Sequence, residues 1–324
     1  MLAAAAVAGL ALGPVRIPAG DVLRILAGDT GAGPFTTIVR DVRLPRVLLG
    51  AVVGAGLAVV GTVLQALVRN PVADPFLLGI SSGASTGAVL VVVLGLGAGA
   101  TTVALPAGAF VGSLGALVAV YAMARRGGTM TTGRLVLAGV AVQYILSALT
   151  SLVLVTAAEA EHLRAVLFWT LGGLGGARWD ALLLPAVALA VGTAVLMALA
   201  RPLDLLLVGE EGATVLGLDT GRFRAAVFVL ASLVTGVLVA VSGAIGFVGL
   251  VVPHAARMAV GAGHRALLPV SALGGAAFLV LADLLARTVA APAEVPVGVL
   301  TALAGGPCFL WLLRRSSRTE GITG

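Results

Sequence analysis

RVLLGAVVGAGLAVVGTVLQALV, from Arg46 to Val68, is an apolar run with no charge after its first residue. A run of about 18 apolar residues or more can cross a hydrocarbon core of roughly 30 Å as a helix. Small residues recur along it at every fourth position, namely Gly50, Gly54, Ala58, Thr62 and Ala66. Positions four apart lie on nearly one face of a helix, where small side chains let two backbones approach closely in a bilayer. The run therefore predicts a membrane-spanning helix that packs closely against another helix.

The whole chain is apolar. Of its 324 residues, 60% are hydrophobic and only 10% are charged, a balance far outside that of soluble globular domains. Besides 46–68, apolar runs predict spans at 77–97, 103–124, 134–156, 180–200, 225–242, 244–261, 267–287 and 296–314. Met1 to Gly13 is a tenth candidate, too short to span unaided; a missing upstream piece is the simplest explanation, with a tilted or half-buried helix as the alternative. We therefore expect an all-α polytopic membrane protein of about ten transmembrane helices, forming a single transmembrane domain over residues 1–324.

A second repeat of small residues lies in the predicted span 77–97, at Gly79, Gly83 and Gly87. The spacing of four again places them on one helix face. We expect Gly83 and Gly87 to lie at a helix contact, as we expect of Gly50, Gly54 and Ala58 in the first run.

The basic residues predict an orientation. Basic residues in short loops favour the cytoplasm, and ten spans with both termini cytoplasmic place most arginine-bearing loops on that side. The arginines left on the outer side are Arg40, Arg43, Arg46, Arg164, Arg178 and Arg287. The net charge of +6 does not indicate nucleic-acid binding, because the arginines are scattered among loops with no basic domain.

Motifs for covalent chemistry are weak. GISSG, Gly79 to Gly83, matches the G-x-S-x-G pattern, with Ser81 as nucleophile and His254 as a conceivable base. That pattern has meaning on a strand-to-helix turn of an α/β sheet, whereas here it begins an apolar span. An intramembrane hydrolase is thus an alternative that depends on Ser81. The sequence holds no phosphate-binding loop and no metal-ligand spacing, so we expect no catalytic residue, metal or cofactor on this chain.

Two carboxylates near the end of the chain leave another alternative open. Asp283 and Arg287 are one helical turn apart and can form an ion pair. An ionisable residue inside a span is also a functional candidate. A proton-coupled secondary transporter would use Asp283 or Glu294 as its titrating group.

LLLVGEEGATVLGLDTGRFR, from Leu205 to Arg224, interrupts the apolar pattern. Gly209, Glu210 and Glu211 can start a helix, because carboxylates are favoured in a first turn, and Gly217 can end it. Ala213, Leu216 and Leu218 then form a small apolar edge on a segment of about two turns, which is marginal alone in water. We expect this segment to be held against a partner, with an ordinary solvated loop as the alternative.

The chain resembles the bacterial ABC-importer permeases for iron(III)–siderophore, haem and vitamin B12 complexes. The blocks that carry the resemblance are, in order, RLPRVLLGAVVGAGLAVVGTVLQALVRNPVADPFLLGISSGAS (Arg43–Ser85), RLVLAGVAV (Arg134–Val142), FWTLGGLGGARW (Phe168–Trp179), GEEGATVLGL (Gly209–Leu218), SGAIGFVGLVVPHAARM (Ser242–Met258), LADLLART (Leu281–Thr288) and PVGVLTALAGGPCFLWLLRR (Pro296–Arg315). They cover nearly the whole chain from about residue 40.

The resemblance implies a subunit like the vitamin B12 permease of type II ABC importers, in the bacterial cytoplasmic membrane and surrounded by lipid. Such a subunit pairs with a second permease, two ATPase subunits that use ATP and Mg, and an extracytoplasmic substrate-binding protein. Residues 201–224 would be a cytoplasmic coupling loop. Its residues in contact with the ATPase would be Gly209, Glu210, Glu211, Ala213, Leu216 and Gly217.

The same resemblance assigns two further groups. Arg43, Arg46 and Arg287 match positions that receive acidic residues of the binding protein. GTMTTGR, Gly128 to Arg134, resembles a cytoplasmic gate with Thr131 and Thr132 nearest the constriction, although Gly133 replaces a hydroxyl residue. Among ligands, an iron(III)–siderophore complex is favoured by its abundance in the family, with haem and cobalamin as alternatives.

Overall fold

The computed structural model describes residues 1–29, 33–71, 73–96, 101–126, 129–157 and 166–320. The helices of this part of the chain are α1 (Leu2–Ala11), α2 (Ala19–Leu26), α3 (Pro34–Thr37), α4 (Leu44–Val68), α5 (Ile80–Val93), α6 (Thr101–Ala124), α7 (Thr132–Ala157), α8 (described over 166–170), α9 (Leu183–Ala198), α10 (Ala200–Val208), α11 (Glu210–Val215), α12 (Thr220–Ser242), α13 (Val248–Val260), α14 (His264–Thr288) and α15 (Val297–Glu320). A π-helical segment, Ile38–Arg43, joins α3 to α4. The short strands β1 (Arg125–Arg126) and β2 (Thr129–Met130) pair antiparallel between α6 and α7.

The helices match the predicted spans. The stretches long and apolar enough to cross a membrane are Pro34–Val68, Val103–Ala124, Thr132–Thr156, Trp179–Ala198, Thr220–Ser242 and His264–Thr288. Shorter apolar helices occupy Leu2–Ala11, Ile80–Val93, Val248–Val260 and Val297–Phe309. Together these correspond to the ten predicted segments, and the predicted all-α polytopic fold is confirmed.

Two predicted spans, 77–97 and 244–261, form helices shorter than expected, and the backbone explains both. α5 begins only at Ile80, because Gly79 has a φ of +74°. α13 begins only at Val248, after a segment bounded by Gly243 at φ +66° and Phe247 at φ +68°. A positive φ does not continue a right-handed helix, so the apolar run and the helix have different lengths at these two places.

α4 lies at the centre of the bundle, and small residues set its contacts. A Cβ atom added to Gly54 would lie 2.2 Å from the carbonyl oxygen of Gly275 in α14. A Cβ atom on Gly61 would lie 1.9 Å from the carbonyl oxygen of Gly249 in α13. The backbones of α4, α14 and α13 therefore touch through glycines, as small residues allow within a bilayer.

The remaining predicted packing residues lie at similar contacts. Ala58 is fully buried, and its Cβ atom would lie 2.6 Å from a Cβ atom added to Gly275. Gly50 lies where an added Cβ atom would be 3.0 Å from the side chain of Leu174. Gly83 and Gly87 pack against α6, where added Cβ atoms would be 2.4 Å and 2.0 Å from carbonyl oxygens of that helix. Both stripes of small residues thus lie between helices.

α7 and α9 form the periphery of the described chain. Only 17% of the most apolar part of each helix is buried within the chain. Their exposed side chains include Leu137, Tyr144 and Ile145 on α7, and Leu183 and Leu184 on α9. These helices therefore offer apolar surface to lipid or to a second subunit.

Candidate functional site

The segment between α10 and α12 forms a short helix that glycines delimit. Gly209 has a φ of +114° and directly precedes α11, and Gly217, at φ +89°, follows it. Asp219 then begins α12, because its carboxylate accepts the backbone N–H of Arg222 at 3.0 Å. The predicted start and end of the small helix agree with this geometry. Most of the predicted coupling loop, 201–224, is helical, since α10 fills 200–208 and α12 begins at Thr220.

The surface of α11 differs from its predicted apolar edge. Ala213 is fully buried within the chain, so it does not present a side chain to another protein. Leu216 is exposed, and Val215, which the sequence reasoning overlooked, is 87% exposed. Glu211 is also exposed. The outward surface of α11 is therefore an apolar tip, Val215 and Leu216, with Glu211 beside it.

Glu210, whose side chain is 45% exposed, pairs with Arg224 of α12. Arg224 is 2% exposed. Its Nη1 donates to the carbonyl oxygen of Met130 at 2.8 Å, and its Nε donates to the carbonyl oxygen of Leu67 at 3.4 Å. A buried cation requires such partners, because its desolvation is otherwise uncompensated. Arg224 thus joins α11, the segment before α7, and the end of α4.

The predicted gate residues lie next to this junction. Thr131 is exposed and Thr132 is half-buried as the first residue of α7. Gly128, the start of the predicted gate loop, lies outside the described residues. A cavity of about 490 Å³ separates Thr131 from α11 and is also lined by Thr214. The residues predicted for ATPase coupling and for the gate therefore lie at the same end of the bundle, although they come from separate parts of the sequence.

A second polar cluster lies at the other end of α4. Arg46 Nε donates to both carboxylate oxygens of Asp283, at 3.0 Å and 3.1 Å. Its Nη1 and Nη2 donate to the two oxygens of Glu294, at 3.0 Å and 2.9 Å. Arg287 Nε lies 3.0 Å from Asp283 Oδ2, and its Nη2 donates to the carbonyl oxygen of Gly9. The predicted Asp283–Arg287 pair is present, but Arg46 shares the same carboxylate.

The arginines predicted to dock the binding protein, Arg43, Arg46 and Arg287, lie in or beside this cluster. Arg43, Arg46 and Arg287 are only 4%, 9% and 4% exposed. Arg43 donates to the carbonyl oxygens of Leu10 and Val15, at the end of α1 and just after it. The three guanidinium groups thus have partners within the chain, because charges buried in an apolar bundle need them. In this conformation they hold helices together and do not face outward.

The residues of the two alternative mechanisms are placed less favourably. Ser81 is buried in the first turn of α5, which a 3₁₀ turn precedes, so the strand-to-helix context of a hydrolase motif is missing there. Asp283 is buried between the guanidinium groups of Arg46 and Arg287, so its carboxylate is already engaged in two ion pairs within the chain. Among the described residues, no group of three or more His, Cys, Asp or Glu side chains is placed to hold a metal ion.

A further polar contact joins α10 to α14. Asp204 Oδ1 accepts the backbone N–H of His264 at 2.9 Å and lies 2.6 Å from its Nδ1. Asp204 therefore caps α14 from outside that helix. Neither this contact nor the role of Arg224 was predicted. The signal in the sequence was that Asp204 and Arg224 are ionisable residues at the edges of apolar runs, where such a residue suggests a function or a buried partner.

Comparison with known proteins agrees with this architecture. The chain is 48% identical over 277 residues to the cobalamin import system permease protein BtuC of Halobacterium salinarum, covering 86% of this chain and 73% of that protein. It is 47% identical over 279 residues to the hemin transport system permease protein HmuU of Yersinia pestis, covering 85% and 82%. A metal-chelate type ABC transporter in an inward-facing conformation superposes with a TM-score of 0.86 at 32% identity, covering 97% of this chain and 96% of that one.

The structural similarity confirms the predicted type II importer permease fold. The similarity extends to the family level, because the FecCD transport family matches residues 1–315, nearly the whole sequence. This chain therefore belongs to the FecCD transport family.

Proposed function

We propose that this chain is the transmembrane permease subunit of an ATP-driven importer that moves a metal chelate across the cell membrane. The observation that carries the proposal is α11, which exposes the apolar tip Val215 and Leu216 at the end of the bundle that also holds the predicted gate. An exposed apolar tip on a two-turn helix is typical of a docking contact with another protein. A partner ATPase is the occupant that the FecCD family favours.

The proposed assembly contains a second permease, two ATP-binding-cassette subunits that use ATP and Mg, and an extracytoplasmic binding protein. The exposed apolar faces of α7 and α9 leave room for the second permease as well as for lipid. In this arrangement both termini and α11 lie on the cytoplasmic side. Closure of the ATPases pushes on α11, and the helices rearrange around a path between the two permeases. This chain contributes no covalent step.

Iron(III)–siderophore complexes are the proposed ligand class. A specific observation favours metal tetrapyrroles as the second candidate, because relatives at 48% and 47% identity are named for cobalamin and hemin. Both candidates are bulky metal chelates, so the proposed path between two permease subunits suits either one. The neighbour of known structure is likewise described as a metal-chelate type transporter.

Uptake into proteoliposomes tests the proposal. The permease, its ATPase and its binding protein are reconstituted together, and labelled ferric siderophore, hemin and cobalamin are supplied in parallel with and without internal ATP. We expect ATP-dependent accumulation of one ligand class. Accumulation driven by a pH gradient without an ATPase would instead support the secondary transporter.

A pair of variants tests the role of α11. Val215→Glu places a charge on the apolar tip and should abolish co-purification of the ATPase. Leu23→Glu is the matched control, because Leu23 is also an exposed apolar residue but lies on α2, near the other polar cluster. Equal ATPase recovery with the two variants would refute the docking role of α11.

A further inference from the structure

We propose that Arg224 is a positioning residue that fastens the coupling helix α11 to the gate segment, Thr129 to Arg134, so that the two move together. The proposal rests on the proposed function, because it assumes that an ATPase moves α11. It adds the element that carries the movement from the ATPase contact to the gate.

The first support is the set of partners of Arg224. One nitrogen pairs with the carboxylate of Glu210 in α11, and a second donates to the backbone carbonyl of Met130 in the gate segment at 2.8 Å. The third reaches the carbonyl oxygen of Leu67, near the end of α4, at 3.4 Å. The contact to the gate is to its backbone, so it constrains the path of the segment and not only one side chain.

The second support is the chemistry of the connection. A guanidinium group is planar and presents its donors in a fixed fork, so bonds on two sides hold their partners at a set separation. Hydrogen bonds to a charged group are stronger than neutral ones. Arg224 is 2% exposed, so water does not readily replace a lost partner. Separating α11 from Met130 therefore leaves a buried charge poorly compensated.

The third support is the space around the connection. The cavity of about 490 Å³ separates Thr131 from Thr214 on one side of the junction. Side chains across that cavity do not transmit a displacement by direct contact. Arg224 lies in the wall of the cavity and connects the two sides through its bonds to Met130 and to Glu210.

Arg222 provides a matched control two residues away on the same helix. Its side chain is 88% exposed and pairs with Asp219 at 3.3 Å, within the same turn. Replacing Arg222 with glutamine removes the same charge from the same end of α12 without touching the junction. Glu210→Gln is the mild test variant, because it keeps a hydrogen-bond acceptor but removes the charge that pairs with Arg224.

The experiment uses the complete reconstituted importer with spin labels at Thr131→Cys and Leu23→Cys in a Cys308→Ser background. The distance between the labels reports movement of the gate end relative to the other end of the bundle, with and without ATP. The second readout is the amount of ligand moved per ATP hydrolysed. Substrates are the ferric siderophore, hemin or cobalamin that the uptake assay identifies.

ATPase recovery and hydrolysis are measured first for Glu210→Gln and Arg224→Lys, so that transport is compared per ATP hydrolysed. The ligand moved per ATP should fall about tenfold, a loss typical of coupling between two sites. The label distance should no longer respond to ATP, because a lysine ammonium keeps the charge but lacks the fork that joins both partners. Arg222→Gln should behave like the unsubstituted importer.

A wild-type distance response and transport ratio in both Glu210→Gln and Arg224→Lys would overturn the proposal. Failure of the proposed function has a different signature, because ATPase recovery would then be insensitive to Val215→Glu. The proposal would also be overturned if Arg222→Gln reduced the ligand moved per ATP as much as Glu210→Gln does. The loss would then depend on the net charge at this end of α12 and not on the bonds of Arg224.

Discussion

Gly54→Ala should destabilise the bundle although alanine is the better helix former. The added Cβ atom would lie 2.2 Å from the carbonyl oxygen of Gly275, whereas an ordinary contact begins near 3.4 Å. The helices must therefore separate by about 1 Å, and a gap of that size forfeits a quarter to a half of each dispersion contact along the seam. Since the obstacle is backbone, we expect a cost of about 3 kcal/mol, at the upper end for overpacking.

Gly115→Ala is the control for this prediction. Gly115 lies inside α6, and an added Cβ atom there meets no other part of the described chain within 4 Å. The better helix propensity of alanine, about 1 kcal/mol in a helix interior, is then gained without a clash. The same gain offsets part of the cost in Gly54→Ala, which leaves a net loss of about 2 kcal/mol.

Thermal unfolding of the purified permease in detergent, followed by tryptophan fluorescence, measures both variants. We expect a midpoint several degrees below wild type for Gly54→Ala and at or slightly above it for Gly115→Ala. Gly275→Ala should match Gly54→Ala, because its Cβ atom would lie 2.2 Å from the Gly54 carbonyl oxygen. Equal midpoints for Gly54→Ala and Gly115→Ala would refute the close approach of α4 and α14.

Three further changes have expected outcomes in the same unfolding assay. Arg46→Gln should cost about 3 kcal/mol, because it leaves the buried carboxylate of Asp283 short of one cationic partner; an unchanged midpoint would contradict this. Burial raises the pKa of Asp74, in the loop between α4 and α5, from 3.8 to about 6. Ionising this carboxyl group therefore costs more in the folded state than in the unfolded state, and the free energy of unfolding falls as the pH rises from 3.8 to about 6. Asp74→Asn should therefore stabilise the protein by roughly 3 kcal/mol at pH 8 but hardly at pH 4, and a pH-independent effect would exclude this cause. Asp204→Ala should cost about 1–2 kcal/mol, because α14 loses its cap at the His264 N–H; a loss no larger than that of a surface alanine substitution would argue against it.

The sequence allowed the spans to be predicted because hydropathy is a local property of each run. The structure then showed which of the runs bend, at Gly79, Gly243 and Phe247. The glycines could be read as candidates for a bend, but Phe247 could not, because its positive φ depends on tertiary contacts that a single sequence does not display.

The site was predictable only to the level of the segment. Gly209 and Gly217 mark the ends of α11 by their own conformational freedom, so its position could be read directly. The direction of each side chain could not, and Ala213 was assigned to the surface although it is buried. Arg224 was missed because its partners Met130 and Leu67 lie 94 and 157 residues away in the chain.

The buried arginines at the two ends of α4 explain how one helix can serve both ends of the bundle. Arg46 lies near the start of α4, and the carbonyl oxygen of Leu67 near its end accepts a bond from Arg224. The rise from Arg46 to Leu67 along α4 is about 32 Å at 1.5 Å per residue. Its glycine contacts with α13 and α14 keep these helices in close register, because sliding would bring backbone atoms into collision and separation would lose the close packing. α11, in contrast, is a two-turn segment delimited by glycines, which can shift without deforming this seam. The division into a rigid central seam and a small movable helix suits the proposed mechanism, in which a push at α11 displaces the gate segment only if the seam does not absorb it.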